Sequence, residues 1–141
     1  MIRKATLNDS HNLKQVCDFY NFEPRRSFDE LINSGIVYIY EESDIIGFLS
    51  VFHQHWNNTI ELTNVFVKPE YEDQGYASSL IVNLITEAKQ SSYRVIIAEV
   101  PSSKRHFFET HGFRECGHND RYYDNHGTKA YFYSFDLKHK S

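Results

Sequence analysis

The residues best placed to do chemistry lie in one run. The apolar strand end Val65-Phe66-Val67 leads through Pro69 into a polar loop, and the loop closes on Gly75-Tyr76-Ala77, where an apolar-periodic segment begins. The first N–H groups of a helix have no partner within it, and the helix dipole makes that end positive. A strand, a turn of small residues and a helix N-terminus therefore build an anion site, suited to phosphate. Gly75 can take a positive φ and admit an anion close to the backbone, and Ala77 is small enough to leave the approach open. Upstream, Glu61 stands four residues before Val65. A strand period of two places it on the face of Thr63 and Val65.

The other reactive side chains are scattered. Among eight histidines, His53 and His55 share a strand face, and His106 and His111 lie near one helix end. Neither pair has the i, i+4 spacing of a helical zinc site or a cysteine beside it, so no metal is expected. Cys17 and Cys116 fall in different elements and read as reduced thiols of a cytoplasmic protein. A formal net charge of −4 carries no electrostatic footprint for nucleic acid. No apolar run reaches membrane-spanning length and Met1–Ser10 has no signal-peptide core, so no membrane partner is expected.

The elements that must position these groups can be read from periodicity and turn residues. At 141 residues and 40% hydrophobic content the chain suits one domain, 1–141, and its 10 Tyr and 11 Phe predict a core or cleft lined by rings. Ile2–Thr6 reads as a strand, then a helix capped at Asp9 or Ser10 runs to about Tyr20. Ser27 opens a short second helix that Gly35 stops. Ile36–Tyr40 and Ile45 to about His55 form a hairpin, and Thr59–Val67 follows the turn at Trp56-Asn57-Asn58. The helix after Gly75 runs to about Lys89 on a stripe of Leu80, Ile81, Leu84, Ile85 and Ala88. Tyr93–Val100 is an apolar run predicted as a strand buried on both faces. Ser102 or Ser103 caps a helix ending at Gly112, and Phe113–Tyr123 with Thr128–Leu137 make a last hairpin. The order β-α-α-β-β-β-α-β-α-β-β is that of a mixed α/β protein with helices on both faces of a central sheet.

With these residues in place, the chain resembles the GNAT superfamily of acyl-CoA-dependent N-acyltransferases over nearly its whole length. Gly75-Tyr76-Ala77 matches the Gly-x-Gly/Ala half of the family's phosphate-loop pattern. The position that usually carries Arg or Gln is Glu72, and Gln74 stands where many members have a basic residue. Phe107-Phe108-Glu109-Thr110-His111-Gly112-Phe113 looks like the family's late helix, and the Tyr-rich last hairpin is similar to those of small members.

The resemblance implies a mostly antiparallel sheet in which strands four and five, here Thr59–Val67 and Tyr93–Val100, splay apart. It implies acetyl-CoA as cosubstrate, with the pyrophosphate at Asp73, Gln74, Gly75, Tyr76, Ala77 and Ser78. The pantetheine arm would lie along Val65, Phe66 and Val67, with Phe108 beside the thioester. The acetyl group would pass to a primary amine, on a small molecule or peptide, by direct attack. Glu61 corresponds to the base glutamate of one branch. The family's proton-donating tyrosine is replaced by Phe108, so Tyr122 or Tyr123 is expected to supply that proton, ahead of Tyr131 and Tyr133. The alternative reading is a CoA-binding or regulatory module of the same fold with little turnover. Arg25-Arg26 would favour an acidic or carboxylate-bearing acceptor, whereas the acidic residues Glu23, Asp29, Glu30, Glu41, Glu42 and Asp44 would favour a polyamine. The edge of the last hairpin is the candidate homodimer surface.

Overall fold

The computed structural model describes residues 1–122 and 129–137. Among these, seven strands form one sheet: β1 (Ile2–Lys4), β2 (Gly35–Glu41), β3 (Ile45–Gln54), β4 (Thr59–Val67), β5 (Val95–Pro101), β6 (Arg114–Asn119) and β7 (Ala130–Asp136). Their spatial order is β1-β2-β3-β4-β5-β7-β6. Every neighbouring pair is antiparallel except β4–β5, which is parallel. The helices are α1 (Ser10–Phe19), α2 (Phe28–Ser34), α3 (Tyr76–Lys89) and α4 (Arg105–Thr110).

Each face of the sheet has its own core. On one, Leu80, Ile81, Leu84 and Ala88 of α3 and Phe108 of α4 pack on Leu49, Val51, Leu62, Ile96, Ala98 and Val100. On the other, Leu13, Cys17, Phe28 and Leu31 of α1 and α2 pack on Val37, Ile39, Phe48 and Phe66. The rings of Phe22, Phe28 and Phe66 surround Phe48 at 6.0, 5.2 and 5.6 Å between centroids. This second core contains no residue of β5. The predicted burial of β5 on both faces is therefore corrected: Ile96, Ala98 and Val100 are buried, but Val95, Ile97 and Glu99 are only partly so. That half-open face forms one wall of the site.

Three local readings also change. Asp9 does not cap α1 with its side chain; it accepts the Thr6 N–H at 2.8 Å and ion-pairs with Arg3 at 2.8 Å, ahead of the helix. Gly35 does not end α2 in a left-handed turn. Its backbone is extended, φ −148°, and it is small because a Cβ would lie 2.0 Å from the Val51 carbonyl oxygen. The turn Ser102–Lys104 before α4 uses no side-chain cap. At the other end of α4, Gly112 at φ 89° lets the Phe113 N–H reach the Phe108 carbonyl at 3.1 Å. That bond and the 5.2 Å edge-to-face contact of Phe108 with Phe113 close the helix as a Schellman turn.

Candidate active site

The site begins where two strands part. β4 and β5 pair from Thr59–Val95 to Leu62–Ala98 and no further, although β4 runs on to Val67 and β5 to Pro101. Residues 64–67 of β4 pair with β3 on one side only. A bulge sits at the parting point. Val51 pairs with Leu62 and Ser50 with Asn64, which leaves Thr63 as the extra residue. The Thr63 hydroxyl is bonded to Ser50, at 2.7 Å to Oγ and 3.0 Å to the carbonyl. Bulges bend a strand and raise its twist, so this one turns β4 away from β5. It also reverses the alternation of side chains. Leu62 and Val65 face the α3 core, whereas Glu61, Asn64 and Phe66 face the α1–α2 side. The expectation that Glu61 shares a face with Val65 is thus corrected.

A cleft of about 730 Å³ passes through this gap. Its first end is the loop before α3. Asp73 and Gly75 have φ of 60° and 89°, and the first helical bond runs from the Ser79 N–H to the Gly75 carbonyl at 2.9 Å. The N–H groups of Tyr76, Ala77 and Ser78 thus precede the helical ladder. A Cβ at Gly75 would meet nothing within 4 Å, so the approach to the backbone is open. The Tyr76 ring is held edge-on by Tyr40 at 4.7 Å and Tyr71 at 5.8 Å. Of the expected binding residues, Val65, Val67, Asp73, Gly75, Tyr76, Ala77, Ser78 and Phe108 line the cleft. Phe66 does not, because the bulge sends its ring into the α1–α2 core. Gln74 does not either; its amide donates to the Glu70 carbonyl at 3.3 Å. Lys104, His106 and His111 line the cleft as well. They went unassigned in sequence because only the fold brings the start of α4 to the α3 loop.

The second end lies between β4, β5 and the segment joining α1 to α2. Glu99, one residue past the last β4–β5 pair, lines the cleft with its side chain only 10% exposed. It is ion-paired with the Arg25 guanidinium and accepts a hydrogen bond from Tyr122. Asn64 fixes the Arg25 backbone, its Oδ1 accepting the Arg25 N–H at 3.3 Å while its Nδ2 donates to Ser50 Oγ at 2.9 Å. Glu61 lies lower on β4 outside the lining, its carboxylate accepting from Gln54 at 3.1 Å. The hydrogen bond to Glu99, then burial and the Glu99 charge, push the Tyr122 phenol above its ordinary 10. Glu61 adds to this and Arg25 opposes it.

Of the candidate proton donors, Tyr122 is half exposed and outside the cleft lining but hydrogen-bonded to Glu99, and Tyr123 lies outside the described residues. The Tyr133 hydroxyl is committed elsewhere, donating to Glu109 at 2.6 Å and accepting from Arg105 at 3.2 Å, and Tyr131 lies 4.0 Å below the Arg105 guanidinium. Phe108, 7% exposed between Phe107 and Phe113, contributes shape and no proton. Glu99 escaped the sequence reading, though a signal was there: it is the one charged residue inside the apolar run 95–100. Burial pushes the Cys17 thiol up to about 11, the state of an inert core thiol. Among the described residues no three His, Cys, Asp or Glu side chains gather as a metal site, and no helix is long and apolar enough to cross a membrane.

Comparison with known proteins follows the same lines. The model of the acetyltransferase (GNAT) family matches residues 7–113. No curated protein matches the sequence. Among solved structures, the ribosomal-protein-S18-alanine N-acetyltransferase of Escherichia coli is similar with a TM-score of 0.83 at 18% identity, over 100% of this chain and 96% of that one. A spermidine N-acetyltransferase variant from Vibrio cholerae gives 0.78 at 19%, over 97% and 95%. A GNAT acetyltransferase from Elizabethkingia anophelis with acetyl-CoA bound gives 0.78 at 18%, over 96% and 97%.

Proposed function

The chain belongs to the acetyltransferase (GNAT) family, and we propose that it moves the acetyl group of acetyl-CoA to a primary amine by direct attack. The observation that carries this reading is the continuity of the cleft. One passage joins a helix N-terminus open at Gly75 to a carboxylate at Glu99, through a gap between two strands. A pyrophosphate fits the first end, where amides and the helix dipole supply the attraction. Lys104 on the facing wall offsets the acidic Glu72 and Asp73. An extended pantetheine arm fits the free edge of 63–67, which offers backbone groups as a neighbouring strand would. A backbone N–H near Val65 then meets the thioester oxygen, a contact worth about 3 kcal/mol in comparable oxyanion holes.

The amine enters from the α1–α2 side. Glu61 and Glu99 are the two candidate bases; we assign proton acceptance to Glu99, which lines the cleft, and a supporting field to Glu61. The freed amine attacks the carbonyl carbon, the C–S bond breaks, and the thiolate takes a proton. We assign that proton to Tyr122, whose hydroxyl is hydrogen-bonded to Glu99. The test is thiol release from acetyl-CoA over an amine panel, beside thermal shifts with CoA. Amine-dependent release is expected. A CoA shift without release over the panel supports the binding-module reading, and no shift at millimolar CoA overturns both.

A further inference from the structure

The acceptor end of the cleft already holds an ion pair. Arg25 lies against Glu99, whose side chain is 10% exposed, while that of Arg25 is 38% exposed. Arg25 is not placed there by a floppy loop alone, because the Asn64 amide anchors its backbone N–H, and Asn64 is itself buried and bonded to Ser50. Its neighbour Arg26 is used differently: it pairs with Glu30 at 2.8 Å and lies 5.0 Å over the Phe52 ring. Arg25 is thus the arginine that the fold delivers to the cleft, and its partner is the carboxylate nearest the β4–β5 gap.

An ammonium that approaches Glu99 competes with this guanidinium. If the acceptor carries only positive charge, Arg25 loses a carboxylate and gains a like-charged neighbour. Glu99 is largely buried, so drawing its charge away from the partly exposed Arg25 guanidinium and bringing a like charge beside it is unfavourable. If the acceptor carries a carboxylate close to its amine, the pairs can exchange one for one: ammonium on Glu99, carboxylate on Arg25. Arg25 offers a planar fork for that carboxylate. We infer that the acceptor is a small zwitterion, a primary amine with a carboxylate one or two carbons away, and that Arg25 is the residue that selects it. The short span follows from the direct contact of Arg25 with Glu99. This rests on the acetyl-transfer reading above.

The test compares acceptors that differ only in the carboxylate: leucine with isoamylamine, and lysine with cadaverine, each with acetyl-CoA. For the wild type, kcat/KM is expected to favour the amino acid at least tenfold in both pairs. In Arg25→Gln that ratio is expected to fall at least tenfold, mostly through KM of the amino acid, with cadaverine improving. Arg25→Lys, which keeps the charge and loses the fork, is expected to fall between. A wild type that prefers cadaverine to lysine, or a peptide N-terminus without a nearby acid to leucine, overturns the inference while leaving amine acetylation standing. So does an unchanged ratio in Arg25→Gln. A wild type that transfers acetyl to no member of the panel overturns both.

Discussion

Replacing Glu99 and Glu61 separately by Gln tests which carboxylate takes the ammonium proton. Glu61 pairs across the sheet with Ile97, two residues before Glu99. With a rise of about 3.3 Å per residue and about 4.8 Å between strands, the two carboxylate-bearing Cα atoms lie on the order of 8 Å apart. A base must sit within about 3 Å of the amine, or one water away. Side chains can span much of that distance, so the lining decides: Glu99 faces the cleft, whereas Glu61 lies outside it and turns its carboxylate to Gln54. Glu99→Gln is expected to lower kcat about a hundredfold to ten-thousandfold, the usual worth of a positioned base. Glu61→Gln removes only a charge at that distance. Its field lies between about 0.5 kcal/mol with water's dielectric and about 2 kcal/mol near a protein surface, or roughly two- to thirtyfold. A second signature accompanies the first. Glu99 is the main cause of the raised Tyr122 phenol, so in Glu99→Gln that phenol drops toward 10 and the alkaline limb of the kcat profile moves to lower pH. The assay is thiol release against pH for both variants, with CoA affinity measured alongside. A larger loss in Glu61→Gln than in Glu99→Gln, at unchanged CoA affinity, refutes the placement argument.

Other perturbations read separate parts of the molecule. Gly75→Val puts a β-branched residue at φ 89°; it is expected to cost about 1–2 kcal/mol of stability and to weaken CoA at least tenfold, whereas wild-type CoA affinity in a folded variant removes the loop from the binding site. Lys104→Ala is expected to weaken CoA several-fold and to flatten the salt dependence of binding, read by calorimetry at two ionic strengths. His53 is held below its ordinary 6.5 by burial, then by His55 and Lys4. The folded state thus disfavours its proton, so the stability it contributes is full above about pH 6.5 and is lost as pH falls through the lower folded value. His53→Gln is expected to flatten the denaturation midpoint between pH 7 and 5; an unchanged slope assigns the acid sensitivity elsewhere.

The element order was legible because each signal is local. Ser27 does cap α2, accepting the Glu30 N–H at 3.3 Å, and of the stripe Leu80, Ile81, Leu84, Ile85 and Ala88 all but the partly buried Ile85 are buried as the spacing implies. Gly75 is a left-handed helix cap. What was not legible depends on a partner strand. Gly35 does stop α2, but the reason for a glycine there shows only when β3 is laid against it and the Val51 carbonyl closes the space. The apolar run of β5 looks doubly buried until α1 and α2 are seen to cover the other end of the sheet. Glu99 and Lys104 were overlooked because their surroundings come from segments far away in sequence, Arg25 in one case and the loop before α3 in the other.

The bulge at Thr63 ties these misreadings together. Strict alternation along β4 gives Glu61 and Val65 one face, and a base beside the thioester follows at once. One extra residue breaks that inference, and it also builds the site. By bending β4 just beyond the last pair with β5, it opens the gap and frees the edge of 63–67. By reversing the alternation, it leaves Val65 on the α3 side and brings Asn64 to the α1–α2 side, where its amide anchors Arg25. Thr63 and Asn64 are thus polar and buried for a reason that an ordinary core strand does not supply: their side chains replace, through Ser50, bonds that the bulge disrupts. A buried network so fully bonded holds one geometry. On the proposed reaction the two substrates come from opposite faces of a single sheet and meet in the gap that the bulge makes.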